Sequence, residues 1–70
     1  MPIFLAPVNT EIMITRIATD PKETSRLAAL GITVEAKVTV LSSSGGAVVL
    51  LVKGSRLALD RVTASRIFVA

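Results

Sequence analysis

Six consecutive apolar residues, Ala47-Val48-Val49-Leu50-Leu51-Val52, lie between a Ser42-Ser43-Ser44-Gly45-Gly46 segment and a glycine at position 54. A short run rich in branched side chains and bounded by turn residues reads as a strand, and apolar side chains at successive positions require cover on both faces. The serine-glycine segment reads as a flexible hairpin loop, and Gly54 marks a tight reversal. On either side the pattern changes to alternation. Lys37-Val38-Thr39-Val40-Leu41 places Val38 and Val40 on one side, and Arg56-Leu57-Ala58-Leu59-Asp60 turns Leu57 and Leu59 inward. Asp60 or Thr63 starts one helical turn through Ala64, and Ile67-Phe68-Val69 closes the chain as a last strand. Because side chains alternate along a strand, the apolar run cannot bury all of itself. If Val48, Leu50 and Val52 point inward, Val49 and Leu51 point outward, where Leu41 adds to a surplus apolar face.

The N-terminal half holds the best-marked element. Pro2 and Pro7 predict an irregular or extended arm over residues 1–9, and the β-branched segment Ile12–Ile17 a first strand. Asp20 then caps a helix by accepting from free backbone N–H groups, Pro21 suits the first helical position, and Glu23 stands where a capping box needs it. Leu27 and Leu30, spaced i, i+3, share one face and pack on the core. Gly31 supplies the left-handed residue that stops the helix, which therefore covers residues 21–30.

The order of elements is strand, helix, three strands, one turn of helix, strand. In a chain of 70 residues this is one domain. About 60% of the unfolded surface is buried at this size, so the core is thin. Short strands, tight turns and a small apolar core predict a mainly β fold, a closed or nearly closed barrel of about five strands with one short capped helix after the first. With 51% hydrophobic residues, some apolar surface is left for a partner.

Neither Cys nor His occurs, which excludes disulfides, zinc-finger sites, thiol chemistry and the usual nucleophile–base pairs. The five carboxylates are Glu11, Asp20, Glu23, Glu35 and Asp60. Asp20 and Glu23 are accounted for by the helix cap and the others are scattered surface charges, so no catalytic, cofactor or metal site is expected. The net charge of +3 is spread along the chain without a basic run. Phe4 and Phe68 are the only aromatics, too few for base stacking or for a proline-rich groove, so no nucleic-acid partner is expected. No apolar stretch approaches the ~20 residues of a membrane span, and the first residues lack a basic leader. A cytoplasmic location follows as the expectation, with membrane proximity only through a partner.

Two stretches carry a resemblance. Leu27-Ala28-Ala29-Leu30-Gly31-Ile32 is similar to the Leu-x-x-Leu-Gly-hydrophobic signature of FeoA domains. Val52-Lys53-Gly54-Ser55-Arg56-Leu57-Ala58-Leu59, followed by Ala64-x-x-Ile67-x-Val69, resembles that family's strand, tight turn, strand and terminal segment. The match covers residues 10–70 and departs from the family pattern at Val34-Glu35, where a Pro-Gly pair is usual. The resemblance implies an SH3-like barrel and a non-enzymatic role beside FeoB, the ferrous iron permease with a GTPase domain. Asp20, Leu27, Leu30, Gly31, Gly54, Leu57 and Leu59 are its structural residues. Arg56 and Ala58, with Leu41, Val49 and Leu51, are the candidates for partner contact or self-association. The rival reading is a small basic nucleic-acid-binding barrel, motivated by the +3 charge and the fold, or a regulatory metal-responsive domain, since the same domain type ends the DtxR-like repressors.

Overall fold

A computed structural model describes residues 1–70. The strands are β1 (Glu11–Ile17), β2 (Lys37–Ser44), β3 (Ala47–Val52), β4 (Ser55–Leu59) and β5 (Ile67–Val69). Helix α1 (Pro21–Ala29) follows β1, and a single turn, α2 (Arg61–Ala64), precedes β5. All strand pairs are antiparallel, in the order β4-β3-β2-β1-β5. The sheet bends into an SH3-like form without closing, since β4 and β5 do not pair with each other. The bend has two local causes. Extra residues interrupt the register at Thr15 in β1 and at Leu41 in β2, and such bulges sharpen twist. β1 is also shared between neighbours, its first half pairing with β2 and its second with β5.

The inward phase of β3 is as the alternation requires: Val48, Leu50 and Val52 are buried, as are Val38, Val40, Leu59 and Ile67. Leu57 is only partly buried. It shares the inward face, but β4 is an edge strand and gives it no neighbour on one side. The hairpin joining β2 to β3 is tighter than a five-residue serine-glycine loop. Ser42, Ser43 and Ser44 continue β2 and pair with Val49, Val48 and Ala47, which leaves Gly45-Gly46 as the turn. Their φ angles of 60° and 86° belong to the two-residue turn whose twist matches a hairpin. Lys53-Gly54 repeats the arrangement between β3 and β4 with φ of 50° and 80°.

At the start of α1, Asp20 accepts a 2.8 Å hydrogen bond from the Glu23 amide, and Pro21 is the first helical residue. At its end, Gly31 (φ 93°) donates to the Ala28 carbonyl at 3.0 Å and Ile32 to that of Leu27 at 2.9 Å. This double closure brings the residue after the glycine back over the last turn. Ile32 and Leu27 are accordingly both fully buried. Leu30 departs from expectation: it is the C-cap, outside the helix, and stays 43% exposed. The turn uses Ile32 for the apolar contact that i, i+3 spacing would have given Leu30.

The N-terminal arm is more than a tail. Ile3–Leu5 form a short 3-10 helix, and Ile3 and Ala6 belong to the same core as the strands. Met1 exchanges hydrogen bonds of 3.0 Å and 2.8 Å with Val69, and Pro2 bridges to Phe68, so the arm lies along the outer edge of β5. The Val34-Glu35 turn keeps the geometry a glycine would favour: Glu35 has φ 74° while its amide donates to the Ile14 carbonyl at 2.7 Å. No helix is long and apolar enough to cross a membrane.

Candidate functional site

The outward phase of β2, β3 and β4 forms one face. Cross-strand register places Glu11, Thr39, Leu51 and Arg56 in one row over four strands. The next row holds Val49 and Ala58, with Leu41 and Ser42 together opposing Val49 because of the bulge. Residues opposed across an antiparallel pair have Cβ atoms about 4.5–5.5 Å apart. The five candidates taken from sequence, Leu41, Val49, Leu51, Arg56 and Ala58, therefore lie together on two adjoining rows. Leu51 is 36% exposed, Val49 and Leu41 are half-buried, and Arg56 and Ala58 are open to solvent. A small apolar strip thus ends in a guanidinium, with the methyl-sized Ala58 leaving room beside it.

The residues that hold this face in place are mostly those of the structural signature. Gly54 makes the turn that sets the phase of β4, and Leu59 anchors that strand from beneath. Gly31 sits against β3, where a side chain would place its Cβ 3.0 Å from Val52 Cγ1. Asp20 is exposed and acts through its backbone cap alone.

A second region escaped sequence reasoning. Thr19, Asp20, Lys22, Glu23, Arg26, Val62, Thr63 and Arg66 line a groove between α1 and α2. Glu23 does not complete a capping box. Its carboxylate instead accepts from Arg26 Nε at 2.6 Å and Nη2 at 2.8 Å, and from Thr63 Oγ1 at 3.3 Å. Hydrogen bonding by Arg26 holds the Glu23 carboxyl below its ordinary range and raises the guanidinium in turn. Asp60 caps α2 by accepting from the Thr63 amide at 2.8 Å, and that bond lowers its carboxyl as well. The groove's carboxylates are committed to helix caps and to Arg26, so it serves to tie α2 to α1. The i, i+3 spacing of Glu23 and Arg26 was the one signal for it in the sequence.

No three carboxylates gather anywhere in the structure. Of the two aromatic rings, Phe68 lies under the Arg16 guanidinium, 5.4 Å from its centroid.

The model of the FeoA domain matches residues 1–70. Among solved structures, a crystal structure of an iron uptake regulatory protein (FeoA) superposes with a TM-score of 0.86 at 23% identity, covering 99% of this chain and 93% of that one. The solution structure of the FeoA protein from Chlorobium tepidum gives 0.85 at 25% identity, covering 99% and 68%. The crystal structure of IdeR from T. acidophilum gives 0.83 at 21% identity, and there the likeness, of fold alone, spans 99% of this chain and 32% of that one. No curated protein sequence matches. The full-length match to the family model, together with this fold, makes the chain a member of the FeoA domain family.

Proposed function

We propose that the chain is a non-enzymatic binding module of ferrous iron uptake, docking on the cytoplasmic part of the FeoB GTPase-permease and modulating it. Family membership supports the pathway. The observation that carries the mode of action is the outer face of β2–β4, where Val49 and Leu51 stand clear of the core beside Arg56. Apolar side chains grouped on an open face with an arginine at the margin are the composition of an interaction patch. The chain works at the inner side of the membrane through that partner.

The test is a double substitution, Val49→Thr with Leu51→Thr. Threonine keeps a β-branch suited to a strand and removes apolar contact. The variant is expected to retain its circular dichroism and cooperative unfolding. It should bind the purified cytoplasmic part of the permease about tenfold more weakly, a loss of roughly 1.4 kcal/mol. Unchanged affinity would refute the assignment of this face.

A further inference from the structure

The two edges of the sheet are treated differently. The β5 edge is covered by the chain's own first residues, through the Met1–Val69 hydrogen bonds and the Pro2–Phe68 bridge. The β4 edge has no such cover. It pairs with β3 through five successive residues, Ser55 to Leu59, without bulge or proline. Natural edges are usually blunted by such devices, and this one carries only charge.

The turn fixes which groups the edge presents. Lys53-Gly54 is a two-residue loop, so its flanking pair Val52–Ser55 is the hydrogen-bonded one. Hydrogen-bonded and non-hydrogen-bonded pairs then alternate along an antiparallel ladder. Ser55, Leu57 and Leu59 bond to β3. Arg56 and Ala58 fall in the other pairs, so their N–H and C=O groups point away from the sheet. Neither takes part in any backbone hydrogen bond outside the regular elements, and both residues are exposed. Two donors and two acceptors therefore stand in a row at strand spacing, about 7 Å from one residue to the next of the set. Beneath them the part-exposed Leu57 offers an apolar seat where a neighbouring strand would lie.

From this we infer that the β4 edge is a strand-addition site for an extended, acidic segment of a partner protein. Main-chain bonds to Arg56 and Ala58 give affinity, and alternating side chains give specificity. The charge decides the occupant. Arg56 is the only charged residue of β4, and the nearest acid, Asp60, is engaged as a helix cap. A second copy of this chain is a poor occupant. Antiparallel self-pairing centred on Leu57 joins two strands that each carry Arg56 and no carboxylate, so neither guanidinium finds a counter-charge. A segment with carboxylates on the outer phase and branched apolar side chains on the inner phase meets Arg56 with one face and Leu57 with the other. This inference deepens the docking proposal and rests on it for the identity of the partner.

The probe is an acetylated, amidated octapeptide alternating Glu and Val, with a Lys-Val octapeptide as control. Both are titrated into the isotope-labelled chain while amide hydrogen exchange is followed. The expected result is exchange slowed by about tenfold or more at Arg56 and Ala58, little change at Leu57 and Leu59, and no protection by the control. Ala58→Pro removes a donor that the β3–β4 ladder does not use and should abolish the protection. Arg56→Glu should transfer the preference to the Lys-Val peptide, and it decides the matter if the proline variant does not fold. Absence of protection at Arg56 and Ala58, or equal protection by both peptides, overturns the inference. The permease's cytoplasmic part separates the two proposals. If it binds without protecting these amides, docking stands and strand addition falls; if it does not bind while the acidic peptide protects them, the reverse holds.

Discussion

Glu35 offers a stabilising substitution whose size can be worked from the backbone. With φ of 74° it is held in the left-handed region, where an L-residue is disfavoured by about 1–2 kcal/mol. Glycine removes that penalty but brings greater freedom to the unfolded chain, an effect of roughly 0.4–1 kcal/mol. Little else changes. The side chain is exposed, the one ion pair of the structure joins Arg26 and Glu23, and the hydrogen bond from position 35 to Ile14 uses the backbone. Glu35→Gly is therefore expected to stabilise by about 0.5–1 kcal/mol, and on a domain of this size 1 kcal/mol corresponds to roughly 4–8 °C in Tm. Urea denaturation with a thermal scan measures it, and Glu35→Ala is the control, since alanine loses the same carboxylate without gaining access to positive φ. If the glycine variant is no more stable than the alanine variant, strain at this turn is refuted.

Asp20→Ala should destabilise by about 0.5–2 kcal/mol, the usual range for a lost N-cap, read from the urea midpoint. Leu27→Ala should destabilise by about 2–5 kcal/mol, while Leu30→Ala, at an exposed cap, should stay within about 0.5 kcal/mol; equal losses would contradict the closure through Ile32. Glu23 and Asp60 both have carboxyls lowered from ordinary values of 4.5 and 3.8. A lowered carboxyl stabilises fully above its unfolded value and loses that contribution as the pH falls through the folded one. Stability should thus decline on acidification from about pH 4.5 downward, and Asp60→Asn should flatten part of that slope in urea midpoints compared between neutral and acid buffer.

What the sequence revealed and what it hid divide along the range of the interactions involved. Helix α1 was legible because capping is local chemistry: Asp20, Pro21 and Gly31 act within a few residues of themselves. Leu30 misled because i, i+3 spacing assumes that the helix continues, whereas the residue before a left-handed glycine has already left it. Ser42–Ser44 have weak strand preference and read as loop. They are held in β2 by the partner strand, whose tightest turn falls at Gly45-Gly46. The bulge at Leu41 and the burial of Ile3 depend on neighbours distant in the chain and left no local mark. For the candidate site, the outward phase of Val49 and Leu51 followed from a period of two. Their adjacency to Ala58 and Arg56 needed the register.

That register in turn rests on Gly54, a residue with no contact role of its own. At φ 80° it allows a two-residue reversal after Lys53. Shifting the pairing by one residue would exchange the two faces of β4. Leu57 and Leu59 would turn outward, and Arg56 would be driven toward Leu50, which is fully buried. The same turn selects which amides bond to β3 and which are left at the edge. Backbone geometry at one glycine thereby decides both the side chains of the proposed docking face and the main-chain groups beside it. A family signature can consist largely of glycines and core leucines and still shape an exposed face, because here those residues dictate where Arg56 and Ala58 stand.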